Sequence, residues 1–266
     1  MLTTQELTRY SRNILLSEVG RKGQEKLKES IVTVVGAGGL GSPALYYLAA
    51  AGVGEIRIID SDKVDLTNLQ RQILYSGESL NKNKAEEAES VIKNLNSNIK
   101  IVSYKERLKA SNIQEIFQGS HLVLEGSDNF ETKFLVNDAG FFLNIPVIIA
   151  GILRFEGQVL GVLPKQTSCY RCIFHSPPDA DSVPNCAEAG VIGSVAGLVG
   201  SIQATESIKF LLGLEQGLFG SMLSIDAISM DFRKISIPRN KACPLCGENP
   251  SINRIDDVEL KSCDWD

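Results

Sequence analysis

Gly36-Ala37-Gly38-Gly39-Leu40-Gly41 follows a short β-branched run and opens a helical pattern, the context in which a G-x-G-x-x-G spacing carries meaning. Glycines there permit a tight turn and let backbone N–H groups approach a phosphate at a helix N-terminus. Asp60, nineteen residues beyond Gly41 at the tip of a second strand pattern, can accept hydrogen bonds from a ribose hydroxyl. Taken alone, these residues favour NAD or FAD over ATP, with a purely structural turn as the plain alternative. Asp62, Asn68, Arg71, Lys84 and Asp128 fall in segments after strand ends, where an open α/β sheet places its ligands. Two cations in such segments suggest a triphosphate, and the hard carboxylate oxygen of Asp128 suits Mg2+. Each of these residues singly also reads as solvated surface; the set is more informative than any member.

Cysteine supplies a second chemistry. Four of the six cysteines form two pairs, Cys169-x2-Cys172 and Cys243-x2-Cys246, separated by 70 residues. Two such knuckles suit tetrahedral zinc, because each presents two thiolates from a tight turn. Four thiolates leave no open coordination position, so the expected Zn2+ is structural and ties two distant segments together. Four ordinary buried cysteines are the alternative. Cys186 stands outside both pairs in Pro-Asn-Cys-Ala-Glu-Ala-Gly, just before a glycine-bearing apolar run. Near a helix N-terminus its thiol would gain thiolate character and could serve as a nucleophile; equally it could be a small residue packed at the helix start.

The elements that must position these groups alternate along the chain. Strand patterns occupy Ile31–Val35, Glu55–Asp60, Ile99–Tyr104, His121–Leu124 and Pro146–Ala150. Helical patterns occupy Ser42–Ala51, Lys82–Asn96, Ser111–Phe117 and Thr132–Leu143. This order implies an α/β fold with a doubly wound, mostly parallel sheet. Beyond Gly151 it gives way to strand pairs at Phe155–Leu163 and Ser221–Ile237, an antiparallel C-terminal extension around a long helix. No Pro/Gly/Ser-rich linker interrupts the chain, so residues 1–266 are expected to form one domain, with a nucleotide-binding core at about 28–150 and a zinc-bearing part at about 151–250.

Composition narrows the class. With 266 residues, 27 Lys+Arg against 32 Asp+Glu and 43% hydrophobic residues, the chain is long enough for a sizeable core. The mildly acidic balance, with no basic block, argues against a dedicated nucleic-acid binder. Glu6, Arg9 and Arg12 interrupt the start where a signal peptide needs an apolar stretch. The longest uncharged run, Ala189–Thr205, has 17 residues and four glycines, which reads as a buried helix and not as a membrane span. Gly193, Gly197 and Gly200 would there admit a neighbouring backbone. A cytoplasmic protein without membrane partners is the expectation.

RYSRNILL (9–16), VVGAGGLGSPALYYLAAAGVG (34–54), IIDSDKVDLTNLQRQ (58–72), EGSDN (125–129), CYRCIF (169–174) and CAEAGVIG (186–193) resemble the MoeB/ThiF/HesA family, the bacterial relatives of ubiquitin-activating enzymes. The match runs from about Thr8 to Asn249. The resemblance implies a Rossmann-like adenylyltransferase that uses Mg-ATP to activate the C-terminal glycine of a small β-grasp sulfur-carrier protein ending in Gly-Gly, releasing pyrophosphate. It implies a phosphate loop at Gly36, Gly38, Gly39 and Gly41, a ribose contact at Asp60, phosphate contacts at Asn68, Arg71 and Lys84, and a magnesium-linked aspartate at Asp128 beside Asn129. It further implies that Arg12 reaches across a homodimer interface, that the four paired cysteines hold zinc, and that Cys186 aligns with a cysteine some members use in sulfur-carrier chemistry. The motifs lean towards molybdopterin or thiamine-type cofactor biosynthesis. Relatives often carry Arg four residues after Asp-Asn, where this chain has Lys133; a lysine keeps the charge but not the bidentate fork, so Lys133 stays outside the expected set. No room remains after the second knuckle for an appended rhodanese domain, so a separate sulfur donor is expected.

Two other classes compete. A Rossmann oxidoreductase has only the glycine loop and Asp60 in its favour, and His121 and His175 are poor proton donors by position. A non-enzymatic zinc-stabilised module has Arg71, Lys84 and Asp128 against it.

Overall fold

The computed structural model describes residues 1–178, 190–214 and 217–258. Three short helices, α1 (Thr4–Arg9), α2 (Ser11–Ile14) and α3 (Gly20–Glu29), precede the sheet. The order then runs β1 (Ile31–Val35), α4 (Gly41–Ala51), β2 (Glu55–Ile59), α5 (Lys84–Leu95), β3 (Lys100–Tyr104), α6 (Ile113–Phe117), β4 (Leu122–Glu125), α7 (Phe130–Leu143) and β5 (Val147–Leu153). After it come β6 (Glu156–Val162), α8 (Tyr170–Ile173), α9 (Gly193–Leu212), β7 (Ser221–Asp226) and β8 (Asp231–Ser236).

The strands join in the order β3-β2-β1-β4-β5-β6-β7-β8. The first five are parallel and the last three antiparallel, as the change in pattern beyond Gly151 implied. Period-two alternation sorts the parallel strands into two cores. Val34, Ile58 and Leu124 lie in register and face α4 and α5, packing with Leu45, Leu48, Ala88 and Ile92. Val35, Ile59 and Val123 face the other way, onto Phe117 of α6 and Phe134 of α7. Both faces are covered, so the strands are near-continuously apolar.

Left-handed residues close the helices: Gly52 after α4 (φ +84°), Asn144 after α7 (φ +58°) and Gly213 after α9 (φ +81°). The run from Ala189 begins outside the described residues; from Gly193 to Thr205 it forms the amino-terminal part of α9, with Ile192 at its cap. A Cβ at Gly193 or Gly200 would sit 2.3 Å from the carbonyl oxygens of Gln70 and Leu40 respectively. Gly197 meets nothing within 4 Å, so close backbone approach explains two of these glycines and not the third. Among the described residues, no helix is long and apolar enough to cross a membrane.

Candidate functional site

The sheet reverses its winding between β1, which leads to β2, and β4, which leads to β5. A crevice opens at the carboxyl ends of strands at such a switch point. Here it is a cavity of about 860 Å³. Gly36, Gly38 and Gly39 from the β1–α4 loop line it, with Asp60 and Asp62 after β2, Arg71, Lys84 at the start of α5, and Asp128 and Asn129 after β4.

Local chemistry holds each group in place. Gly36 adopts φ +89°, and a Cβ there would press to 3.0 Å on the Gly126 carbonyl oxygen, so the glycine loop and the β4–α7 turn stack on one another. Gly41 is not among the lining residues; a Cβ on it would lie 2.0 Å from the Gly36 carbonyl oxygen, which makes it the closure of the turn. Asp60 accepts from the Ala37 N–H (2.8 Å) and the Asp62 N–H (2.9 Å), one to each carboxylate oxygen, leaving lone pairs for a further donor. Burial pushes the Asp60 carboxyl up, against the opposing pull of Lys84 and these two amides. Tyr75, buried, donates to the carbonyls of Ala37 and Lys84 and so joins the glycine loop to α5.

The cations differ in their resting partners. Lys84 is buried and its Nζ lies 3.0 Å from an Asp62 carboxylate that is itself exposed. Arg71 donates to the Thr67 carbonyl at 3.0 Å, with its methylenes against Gly39. Asn68 accepts from the Asp65 N–H in a short capping turn and is not among the lining residues. Asn129 caps α7 through the Thr132 N–H, while Asp128 is exposed at the mouth. Arg12, on α2, is exposed and does not line the cavity of its own chain. Cys186 lies outside the described residues.

Gln72 and Lys133 are among the other side chains that line the cavity. Gln72 is buried with its Oε1 atom unpartnered. Lys133 turns inward and is fully bonded, to Glu125, Ser127 and Ala150. A sign of the latter was present in the sequence: Glu125 ends an otherwise apolar buried strand, and a carboxylate there demands a cation.

The four paired cysteines converge as their spacing implied. Their sulfur atoms all lie within 4.8 Å of one another, and four of the Sγ–Sγ separations run from 3.4 to 3.9 Å. A zinc tetrahedron with bonds of ~2.3 Å has edges of about 3.8 Å, so the donor set is compatible with Zn2+. N–H groups of Asn240 and Cys246 point at Cys172 and Cys243, the bonding expected of thiolate ligands. Thiol hydrogen bonds from Cys169 and its neighbours lower Cys246 to about 5 against opposing burial, whereas Cys169 is pushed up. The cluster hangs on α7: Asn137 accepts from the Tyr170 N–H, and Asp138 takes a bidentate pair from Arg171 at 2.7–3.0 Å.

The ThiF family model matches residues 10–245. The chain is 44% identical to the sulfur carrier protein adenylyltransferase of Thermus thermophilus, over 97% of each protein. It is 43% identical to the SAMP-activating enzyme E1 of Haloferax volcanii, over 98% of this chain and 97% of that one. A crystal structure of E. coli MccB with ATP superposes with a TM-score of 0.79 at 25% identity, covering 92% of this chain and 75% of that one. With a family match over most of the sequence and the glycine loop, acids and cations gathered at one switch point, the chain belongs to the ThiF family.

Proposed function

We propose that the protein is an ATP-dependent adenylyltransferase acting on the C-terminal glycine of a small β-grasp sulfur carrier. The observation that carries this reading is the meeting of Arg71, Lys84 and Asp128 with the glycine loop in one cavity, in a chain nearly half identical to a named sulfur carrier protein adenylyltransferase. The carrier's terminal carboxylate attacks the α-phosphorus of ATP; the bond to the bridging oxygen breaks, and pyrophosphate leaves with the electron pair. Two anions must meet, so charge neutralisation and positioning carry the catalysis. The nucleophile is already ionised at neutral pH and needs no protein base.

The residues present suit this task. The glycine loop presents the amino end of α4 to phosphate. Asp60 keeps lone pairs for a ribose hydroxyl, and Lys84 exchanges Asp62 for a phosphate oxygen. Arg71 flanks the phosphates, Asn68 holds the turn that leads to it, and Asp62, Asp128 and Asn129 offer oxygens at the mouth. Mg2+ held by Asp128 would offset triphosphate charge. Arg71 and Lys84 fit a triphosphate better than they fit hydride transfer to a nicotinamide.

Zn2+ held by Cys169, Cys172, Cys243 and Cys246 would be structural. Arg12 would complete the site of a second copy in a homodimer; its exposure beside exposed Leu15 and Leu16, outside its own cavity, supports this. We place the protein in the cytoplasm, as one adenylyltransferase unit serving molybdopterin or thiamine-type cofactor synthesis with a separate sulfur donor, and Cys186 is the candidate for covalent sulfur chemistry.

The test is exchange of labelled pyrophosphate into ATP with a β-grasp protein ending in Gly-Gly, and with the same protein lacking its last glycine. Exchange is expected with the first only. Equal exchange with both, or with no carrier at all, would overturn the reading.

A further inference from the structure

We propose that Lys133 is a positioning residue: with Glu125 it forms a buried clamp that fixes the turn carrying Asp128. The role rests on the adenylation reading, but the clamp itself is a matter of geometry.

Lys133 Nζ has three protons and three close acceptors: Glu125 Oε2 at 2.6 Å, the Ser127 carbonyl at 2.8 Å and the Ala150 carbonyl at 2.6 Å. None is left for a ligand, so although the residue lines the cavity it holds protein and not substrate. The acceptors come from three segments, the end of β4, the turn after it, and β5. Glu125, fully buried, reaches the same turn from the other side: its Oε1 accepts from the Ser127 N–H at 2.8 Å and from the Ser127 hydroxyl. Gln203 of α9 holds the Glu125 and Ile148 carbonyls from behind, at 2.9 and 3.2 Å.

Ser127 therefore has its amide, carbonyl and hydroxyl all committed. Its carbonyl belongs to the peptide plane that begins Asp128, so fixing that plane sets the direction in which the Asp128 side chain leaves the backbone. Gly126 is fixed too, its N–H on the Val35 carbonyl at 2.9 Å. What remains free at the end of this braced turn is the exposed carboxylate. Burial pushes the Glu125 carboxyl up and Lys133 opposes it. Without the lysine nothing opposes burial with a charge, and the Ser127 carbonyl loses the ammonium that donates to it.

The lysine is also the right shape. Its ammonium is a compact donor to convergent acceptors on three segments, which a planar guanidinium does not match. Lys133→Arg is therefore expected to restore activity only in part.

The experiment is a double-mutant cycle in carrier-dependent exchange with Lys133→Met, Asp128→Asn and the double variant, joined to amide hydrogen exchange on the free protein. Misplacing a reacting group by about 1 Å costs on the order of 10²-fold. Lys133→Met is thus expected to lower kcat ~10–100-fold with the KM for ATP within about threefold, and to cost under about threefold more once Asp128 is already Asn. Amide exchange at 126–129 should quicken about tenfold or more while the β2 amides stay unchanged. If Lys133→Met leaves too little folded protein, Glu125→Gln/Lys133→Met removes both charges and is expected to give the same loss. Multiplying effects in the cycle, or unchanged exchange at 126–129, would overturn the clamp. Absence of carrier-dependent exchange in the unmodified protein would instead overturn the adenylation reading, and the amide measurement would still judge the clamp.

Discussion

Removing metal from the cysteine cluster should destabilise the whole C-terminal half of the sheet. The two knuckles close a loop from Cys172 to Cys243, 72 residues that contain α9, β7 and β8. A cross-link across a loop of that length limits the unfolded chain by about 4.4 kcal/mol in the loop-entropy model. That is a large part of the ~5–15 kcal/mol by which domains are ordinarily stable. For a chain of 266 residues, with an unfolding entropy of about 0.56 kcal/mol/K, it corresponds to a fall in Tm of about 8 °C. Four sulfurs left within 4.8 Å of one another without a cation repel as thiolates or must take up protons, so this figure is a lower bound. The assay is elemental analysis followed by calorimetry before and after a thiol-competent chelator, with Cys243→Ser as the genetic counterpart. One zinc per chain and a drop of at least this size are expected. Protein purified without chelator that holds no zinc, or a Tm that moves by less than about 2 °C when all zinc is gone, would refute the reasoning.

Arg71→Ala and Asp128→Ala should each slow carrier-dependent exchange by about 10²–10³-fold, the usual scale for losing a preorganised charge partner, with Tm nearly unchanged because both side chains face the cavity; a loss under threefold would displace the site. Mixing Arg12→Ala with Asp128→Ala protein should restore activity through hybrid dimers that rebuild one intact cavity, and freely exchanging subunits that regain nothing would place Arg12 outside the reaction. At the N-terminus, burial works to raise the Glu6 carboxyl, but the Lys28 ammonium at 2.8 Å and the Thr3 amide outweigh it and hold the group below its ordinary value of 4.5. The folded state thus binds this proton less readily than the unfolded chain, so the stabilisation is present above pH 4.5 and fades as pH falls through the lowered value. Glu6→Gln should be less stable than the parent at pH 7, and urea titrations should show the gap closing in acid; a gap independent of pH would refute the assignment.

Much of the fold could be read from residue order alone. β1 occupies the expected Ile31–Val35, because a β-branched run between turn residues has few other options. Boundaries moved where capping decided them. Asn129 takes the first-turn amide of Thr132, so α7 starts at Phe130 and not at Thr132. Asn83 does the same for α5, which begins at Lys84. In the site, glycine spacing and strand-end position pointed to the cavity-lining Gly36, Gly38, Gly39, Asp60, Arg71, Lys84 and Asp128. Lys133 was not legible as a clamp, because nothing in linear order tells that Ala150 and Ser127 meet at its ammonium. Gly41 and Asn68 read as ligands by motif, yet here one closes a turn and the other caps one. Short-range periodicity carries which face a residue takes, whereas a shared acceptor between β4 and β5 exists only once the strands have paired.

One helix serves both chemistries of this molecule. Lys133 braces the Asp128 turn, and about one helical turn further on Asn137 and Asp138 of the same α7 hold the first cysteine knuckle. A rod that short does not bend between its two loads, so displacement at one end is displacement at the other. Occupancy of the sulfur cluster and of the nucleotide cavity would be linked through this helix, and any such linkage is reciprocal. Whatever factor the metal adds to the affinity for ATP, ATP must return to the retention of the metal. Should Zn2+ fill the cluster, a metal that strengthens ATP binding would itself be bound more tightly, by the same factor, once ATP is in place.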